Sequence, residues 1–423
     1  MRVLIGDIAS DNSLCGGESA VDVIGLQEID DMIHYASNDQ LTQIMTFCYE
    51  GINRANYLVV NESKLDFDGK EELYGEVYFL RAYFYFELVK FFGEVAIFDE
   101  RLDASKSGTL SQNSVEEVYA QVEEDLTSAL SALPSTQTQA GRATLGAAQS
   151  LLGKVYLYQQ KYDEAATMLA NVIGQYALVT DYESQFLNSG ENGEESIFEI
   201  QHTNQSNWYD WNFVPQGTEG NFGVQHNGPR GFDAAGYASG WSFNVPTQNL
   251  YDAFEDGDTR RDATILDPVA IGATYTPGYE DTGYFNHKYA PRAGESGAQI
   301  ELNYGNNYRS IRYADVLLMA AEANNLKTTS NDALAQEYLN EVRRRAFGDT
   351  THDITFTGTD LTEAIWEERR LELAMEGHRF FDLVRTGKAA EAIEGYSAHN
   401  RYFPIPQVEL DISGWEQVDE NGY

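Results

Sequence analysis

Apolar residues recur at three- and four-residue steps in the first and last parts of the chain, and they lose that rhythm in between. In residues 71–92, EELYGEVYFLRAYFYFELVKFF, this period sets Leu73, Val77, Leu80, Phe84 and Leu88 on one helical stripe that Gly93 ends. Residues 114–134 begin with Ser114 and Glu117 at capping-box spacing and stop at Pro134. The next stretch, AAQSLLGKVYLYQQKYDEAATMLANVI, carries Leu152, Gly153, Tyr156, Ala165 and Leu169 at the spacing of a tetratricopeptide repeat, with Gln149 where that repeat expects Trp. Small Gly153 and Ala165 let two antiparallel helices approach, while the larger residues fill the space around them. From 188 to 308 the helical period fades into Gly, Asn, Tyr and Trp, which predicts loop with short strands. Helices resume at YRSIRYADVLLMAAEANN, NDALAQEYLNEVRRRAF and ERRLELAMEGHRFFDLVRTGK, with Asp360 and Glu363 as caps of the last unit. The tail RYFPIPQVELDI, with two prolines, reads as extended. The pattern predicts a mainly α, single-domain fold in three stretches: a helical repeat part over 1–187, an irregular aromatic-rich insertion over 188–308, and repeat helices with an extended tail over 309–423.

Residues 368–388 gather a glutamate, a histidine, an aspartate and several arginines on what reads as one helix. Leu373, Gly377, Phe380, Phe381 and Val384 form its apolar stripe, and Gly377 within it implies a close neighbouring helix. Glu376 with Arg379, and Asp382 with Arg385, are three apart and can pair along the helix. That reading absorbs every charge but His378 and points to scaffold rather than catalysis.

Composition narrows the function. Apolar residues make up 42% of 423, enough to bury a core. The net charge of −39, from 67 acidic and 28 basic residues, repels nucleic acid and anionic membrane surfaces. The longest apolar run is far short of a membrane span, and the first residues, MRVLIGDIASDNSLC, do not form a secretory or lipoprotein signal, since Asp7 and Asp11 interrupt the apolar region. Cys15 and Cys48 lie in no CxxC pair, and whether they pair with each other is open. The seven histidines show no metal-ligand spacing, and there is no P-loop, GxGxxG or GxSxG. DFDGK at 66–70 reads as a turn before the aromatic helix rather than a calcium loop. Acidic residues are abundant, but none is singled out as a glycosidase pair. No metal and no cofactor is therefore expected.

The insertion carries the chemistry that a sugar needs: flat aromatic faces for C–H surfaces and planar polar groups for hydroxyls. Trp208, Tyr209 and Trp211 stand together with Asn207 and Asn212 beside them; Trp241 neighbours Tyr237 and Phe243; Tyr275, Tyr279 and Tyr284 form a third group. Trp208, Trp211 and Trp241 lead, because an exposed loop is a costly place for indole unless it meets something. The competing reading is that these rings pack the irregular part onto the repeats. The acidic surface disfavours sulfated or uronate-rich ligands, unless Arg260 with Arg261, or Lys288 with Arg292, forms a local basic patch.

RRLELAMEGHRFFDLVRTGK followed by RYFPIPQVEL closely resembles the C-terminal signature of the SusD/RagB family, nutrient-binding outer-membrane lipoproteins of Bacteroidetes. GDIASDN, YEGINRAN, EVYFLRAYFYFELVKFFGEV, PTQNLYDAFEDGDTRRDATI and IRYADVLLMAAEA agree in the family's order over nearly the whole chain. The resemblance implies a right-handed superhelix of tetratricopeptide units cradling a less regular ligand-binding part. It implies capture of glycan at the cell surface for polysaccharide utilization, without catalysis, and delivery to a SusC-like TonB-dependent outer-membrane transporter. It implies a lipid anchor and an N-terminal helical segment ahead of the GDIASD region. It also brings in the loops near that region, with Asp11, Asn12, Tyr35 and Asn38 as further candidates. Some relatives bind calcium, but no ligand set for it is identifiable here. The alternatives are a repeat scaffold that binds protein, a binder of another nutrient such as peptide, and, ranked below both, a glycoside hydrolase.

Overall fold

The computed structural model describes residues 2–102, 107–205, 219–297 and 302–417. The chain opens with α1 (Arg2–Ile8), β1 (Ser13–Gly16) and α2 (Ile24–Asp30), then enters a helical series: α3 (Asp39–Val59), α4 (Lys70–Phe92), α5 (Val115–Ala132), α6 (Leu145–Tyr158) and α7 (Tyr162–Ala170). Short elements follow: β2 (Ser196–Ile200), α8 (Gly223–His226), β3 (Arg230–Asp233), β4 (Phe243–Pro246), α9 (Gln248–Ala253), α10 (Arg260–Thr264), β5 (Ile265–Leu266), β6 (Thr274–Thr276), β7 (Phe285–Asn286) and β8 (Tyr308–Arg312). Helices then return as α11 (Tyr313–Leu326), α12 (Asp332–Phe347), α13 (Gly358–Glu372), α14 (Arg379–Arg385), α15 (Ala389–Ala392) and α16 (Gln407–Ser413). The described strands pair as antiparallel ladders, β1 with β4, β2 with β8, β3 with β6 and β5 with β7. The backbone divides into two compact units that interleave in sequence: one holds residues 1–31 and 174–394, the other 32–173 and 395–423.

In the unit of residues 32–173 and 395–423, successive helices from α3 to α7 pack on one another. Ser114 and Glu117 form the expected capping box of α5. A Cβ on Gly153 would lie 2.4 Å from Leu169 Cδ2, so the close approach of α6 and α7 requires glycine there. Helix α4 departs from its expected single stripe. Leu80 is 40% exposed, whereas Phe79, Tyr83, Tyr85 and Phe86 are buried, so α4 is covered on most sides. Arg81 is buried with it and pairs with Asp125 of α5 at 2.6 Å. The tail is extended only through its two prolines; α16 begins immediately after Pro406, and Phe403 stacks on Phe91 at 5.5 Å.

In the unit of residues 1–31 and 174–394, α11 packs against α12 and α13. Residues 308–312, expected as helix, instead form strand β8 leading into α11. The stretch 368–388 is not one helix. Helix α13 ends at Glu372, Met375 (φ 65°) and Gly377 (φ 81°) adopt left-handed backbone, and α14 starts at Arg379. The expected pairing of Asp382 with Arg385 is present at 2.7 Å, but Glu376 does not pair along the helix. Its carboxylate meets Arg312 at 2.8 Å and Lys288 at 2.7 Å, fully buried, while Arg379 meets Asp11 at 2.7 Å. Around this turn lies a buried network in which Glu372 meets Arg312 and Arg345, each at 2.5 Å, and Arg260 at 3.0 Å. Burial alone would raise Glu372 and Glu376, but the surrounding cations hold both below the ordinary carboxylate range.

Candidate functional site

Three glycine-bearing stretches of the unit of residues 1–31 and 174–394 meet at one corner. Strand β1 ends in Gly16 and Gly17, and the Gly17 amide donates to the Ser242 carbonyl at 2.7 Å, just ahead of β4. The turn 277–280 folds onto the same place: Tyr279 N–H donates to the Gly17 carbonyl at 2.9 Å. A Cβ on Gly278 would stand 2.4 Å from that carbonyl oxygen and 3.3 Å from Ser242 Cβ, so only glycine allows this approach. Two of the expected aromatics, Trp241 and Tyr279, are thereby brought to one corner. Trp241 is half-buried, with its ring edge-on to His226 at 5.3 Å. Tyr279 exposes 37% of its surface.

Polar groups that were not singled out from the sequence hold the backbone of this corner. Arg230 donates through Nε to the Trp241 carbonyl at 2.9 Å and through Nη2 to Asp22 at 3.0 Å, and Glu18 stands 3.6 Å from Nη1. Its own amide donates to Ser242 Oγ at 2.9 Å. The Gly16 amide donates to Glu280 at 3.1 Å, and the Cys15 amide to Asp30 at 2.7 Å. Burial, with Glu280 and Asp31 adding to it, pushes Asp30 up to about 8, against the Cys15 hydrogen bond. The neighbouring charge of Glu280 is the main cause that raises the Tyr279 hydroxyl. The corner thus offers aromatic rings, a fixed guanidinium and several carboxylates. The Gly-Gly pair at 16–17 and the Pro-Gly pair at 277–278 were its sequence signals, since both mark tight turns.

The other expected residues are placed as follows. Trp208, Tyr209 and Trp211, with Asn207 and Asn212, lie outside the described residues. Tyr237 is half-buried: its hydroxyl lies 2.7 Å from His287 Nε2, and the Arg292 guanidinium covers its face at 4.5 Å. Tyr275 bonds Asp281 at 3.0 Å, and Tyr284 stacks on Tyr251 at 4.4 Å. Phe243 is buried. Asp11 lies between Arg379 at 2.7 Å and Arg370 at 3.3 Å; burial opposes ionisation, but the hydrogen bond and charge of Arg379 hold the carboxyl below its usual value. Asn12 is fully buried. In the other unit, Tyr35 is 65% exposed, and Asn38 is buried as the N-cap of α3, accepting from the amides of Gln40 and Leu41.

The basic patches weighed above do not form. Arg260 and Lys288 are both buried; Arg260 is paired with Asp258 at 2.6 Å and Lys288 with Glu376. Arg292 pairs with Glu183 at 3.2 Å. Cys15 and Cys48 are both buried thiols, not joined in a disulfide. Among the described residues, no group of three or more His, Cys, Asp or Glu side chains is placed to hold a metal ion, and no helix is long and apolar enough to cross a membrane.

Comparison with known proteins bears on this geometry. The profile of the SusD family matches residues 270–404, and a profile described as starch-binding associating with outer membrane matches residues 4–157. A solved laminarin-binding SusD-like protein is 38% identical, covers 100% of this chain and 94% of its own, and superposes with a TM-score of 0.90. Surface glycan-binding protein A from Bacteroides thetaiotaomicron, solved in complex with laminarihexaose, is 28% identical over 97% of this chain and 91% of its own, with a TM-score of 0.85. The SusD-like protein P2 of Formosa agariphila is 29% identical over 91% of this chain and 81% of its own.

Proposed function

The chain belongs to the SusD family, and from that premise we propose that it is a non-catalytic glycan-binding protein of the cell surface, with laminarin as its first ligand. It hands captured oligosaccharide to a SusC-like TonB-dependent transporter and is held at the outer membrane by a lipid anchor. The observation that carries the binding reading is the corner where the backbone segments bearing Trp241 and Tyr279 both close on Gly17, with the Arg230 guanidinium fixed on the Trp241 carbonyl. A pyranose presents a C–H face to an aromatic ring and hydroxyls to planar charged groups, and this corner supplies both on backbone locked by close glycine contacts. A laminarin-binding SusD-like protein and a glycan-binding protein in complex with laminarihexaose, both among the similar solved structures, support the choice of ligand. Relatives named as binding proteins support a role without catalysis. Trp208, Tyr209 and Trp211 are proposed as further platforms on sequence grounds, and Tyr237 and Asp11 as supports of the surface in the same unit; Tyr35 and Asn38, in the other unit, stay candidates on sequence grounds alone.

The test is affinity electrophoresis in native gels containing laminarin, with other neutral and with charged polysaccharides as controls. Laminarin should retard the protein, and Trp241→Ala or Tyr279→Ala should weaken retardation by about tenfold or more in affinity, the scale of ~1–3 kcal/mol for stacking on an aromatic side chain. If laminarin leaves mobility unchanged while the protein is folded, the ligand assignment fails. If binding survives both substitutions and is lost in Trp208→Ala or Trp211→Ala, the platform lies in that segment instead.

A further inference from the structure

A cavity of about 230 Å³ opens between α13, α14 and α15, on elements other than those of the corner just described. Trp366, half-buried, forms one wall. Lys388 stands with Nζ 5.8 Å from the centre of the Trp366 ring and bonds Glu363 at 2.8 Å; Glu391 lines the same pocket. The floor is the charged stretch singled out in the sequence. Arg385 pairs with Asp382 at 2.7 Å and with Glu322 at 2.5 Å. The lining as a whole carries four cations and four carboxylates, and so has no net charge. The Trp366 indole N–H, in the pocket wall, has no hydrogen-bond partner, which is unusual for a buried indole donor.

An ion entering this pocket would meet charges of both signs, most of them already paired, Lys388 with Glu363, Arg385 and Arg369 with Asp382 and Arg379 with Asp11, and would pay desolvation for little new counter-charge. A neutral polyhydroxyl ligand faces the opposite balance. Each hydroxyl both donates and accepts, so it can take a remaining guanidinium or ammonium N–H and a carboxylate lone pair without disturbing the pairs. Hydrogen bonds to ionised groups are also the stronger kind. The volume is below the roughly 300–1,000 Å³ of sites that enclose drug-sized ligands, which suits one sugar ring or chain end rather than an extended segment. We propose that this pocket is a second carbohydrate site, taking a single neutral pyranose unit against Trp366, Lys388, Glu363 and Glu391.

The test follows the indole N–H signals of the five tryptophans by ¹H–¹⁵N NMR of the full chain. The Trp366 signal is identified by its loss in Trp366→Phe, which keeps an aromatic ring at that position. Glucose at millimolar concentration should shift it; Lys388→Ala and Glu391→Gln should each weaken the apparent affinity several-fold. The shift should persist in the Trp241→Ala, Tyr279→Ala double variant, in which the corner is disabled. Glucuronate and glucosamine, charged rings of similar size, should act more weakly. No shift at Trp366 with glucose overturns the proposal. So does a shift that vanishes in the double variant, or one that the charged sugars cause equally well. Loss of laminarin retardation with the Trp366 shift intact counts against the corner reading and not against this one.

Discussion

Asp30 shows how far a residue's role depends on neighbours that the sequence does not place beside it. It lies 250 positions from Glu280 in the chain, yet the two carboxyls share a hydrogen bond at the end of β1. Burial is the main cause that raises Asp30 to about 8. A carboxyl raised in the folded state contributes stability that is complete below its ordinary value and is lost as pH rises through the raised one. Melting temperature should therefore fall between about pH 5 and 8, where the unfolded chain has already ionised this carboxyl and the folded protein still holds its proton, and this contribution should level off above about 8. Asp30→Asn keeps an acceptor for the Cys15 amide and a donor for Glu280, and should flatten that fall by a few degrees in thermal unfolding scans at matched ionic strength. Equal slopes in both proteins would sink the shared-proton account. At this scale the sequence named residue types well and their faces poorly. Tyr237 and Tyr279 are equally plausible platforms as letters, but Arg292 covers the first ring, whereas the second is exposed. Asn38, expected near a ligand, spends its side chain on capping α3.

Helices were the most legible elements, because their period is written locally. The capping box of α5, the α6–α7 pair and the Gly93 stop of α4 all follow from residues within a turn or two of each other. The break between α13 and α14 was not legible. Its cause is Met375 and Gly377 in left-handed backbone, and only the glycine hinted at it. The turn is fixed by α1: a Cβ on Gly377 would lie 2.7 Å from Val3 Cα, and one on Gly6 would lie 2.1 Å from the Gly377 carbonyl oxygen. Gly348, which caps α12 at φ 78°, has a similar backbone but nothing within 4 Å of its would-be Cβ. The pair separates conformational strain from steric contact. Gly348→Ala should cost about 1–2 kcal/mol from the left-handed backbone alone. Gly377→Ala should cost that plus about 1–3 kcal/mol of overpacking. Urea denaturation of the two variants checks this, and similar costs would mean that α1 yields to the added methyl.

For the molecule as a whole, charge acts at two depths with opposite signs. The surface carries most of a net charge of −39, and like charges oppose compaction. The interior of the unit of residues 1–31 and 174–394 holds the reverse: Glu372, Glu376 and Asp382 sit buried among arginines that keep them below the ordinary carboxylate range although burial alone would raise them. Composition disclosed the first depth. The second needed the fold, since Glu376 meets Arg312 and Lys288 across 64 and 88 positions of sequence. Salt screens exposed charges over about 10 Å at 0.1 M and reaches buried pairs far less. Raising sodium chloride from low ionic strength to about 0.15 M should therefore raise the melting temperature at pH 8, because repulsion weakens while the interior pairs persist. Lowering pH toward 5 should have the same sign. It removes surface charge and relieves Asp7, which burial raises to about 7 and whose cost grows as pH rises from the ordinary carboxylate range up to that value. The lowered carboxylates work the other way: their contribution is present above the ordinary carboxylate range and is lost only as pH falls through their lowered values. Stability should thus climb from pH 8 to about 5, lose much of its salt dependence there, and collapse steeply below about 4. Calorimetry on a grid of pH and salt measures all three. A melting temperature that falls with added salt at pH 8 would show that exposed ion pairs, and not net repulsion, dominate the electrostatics of the fold.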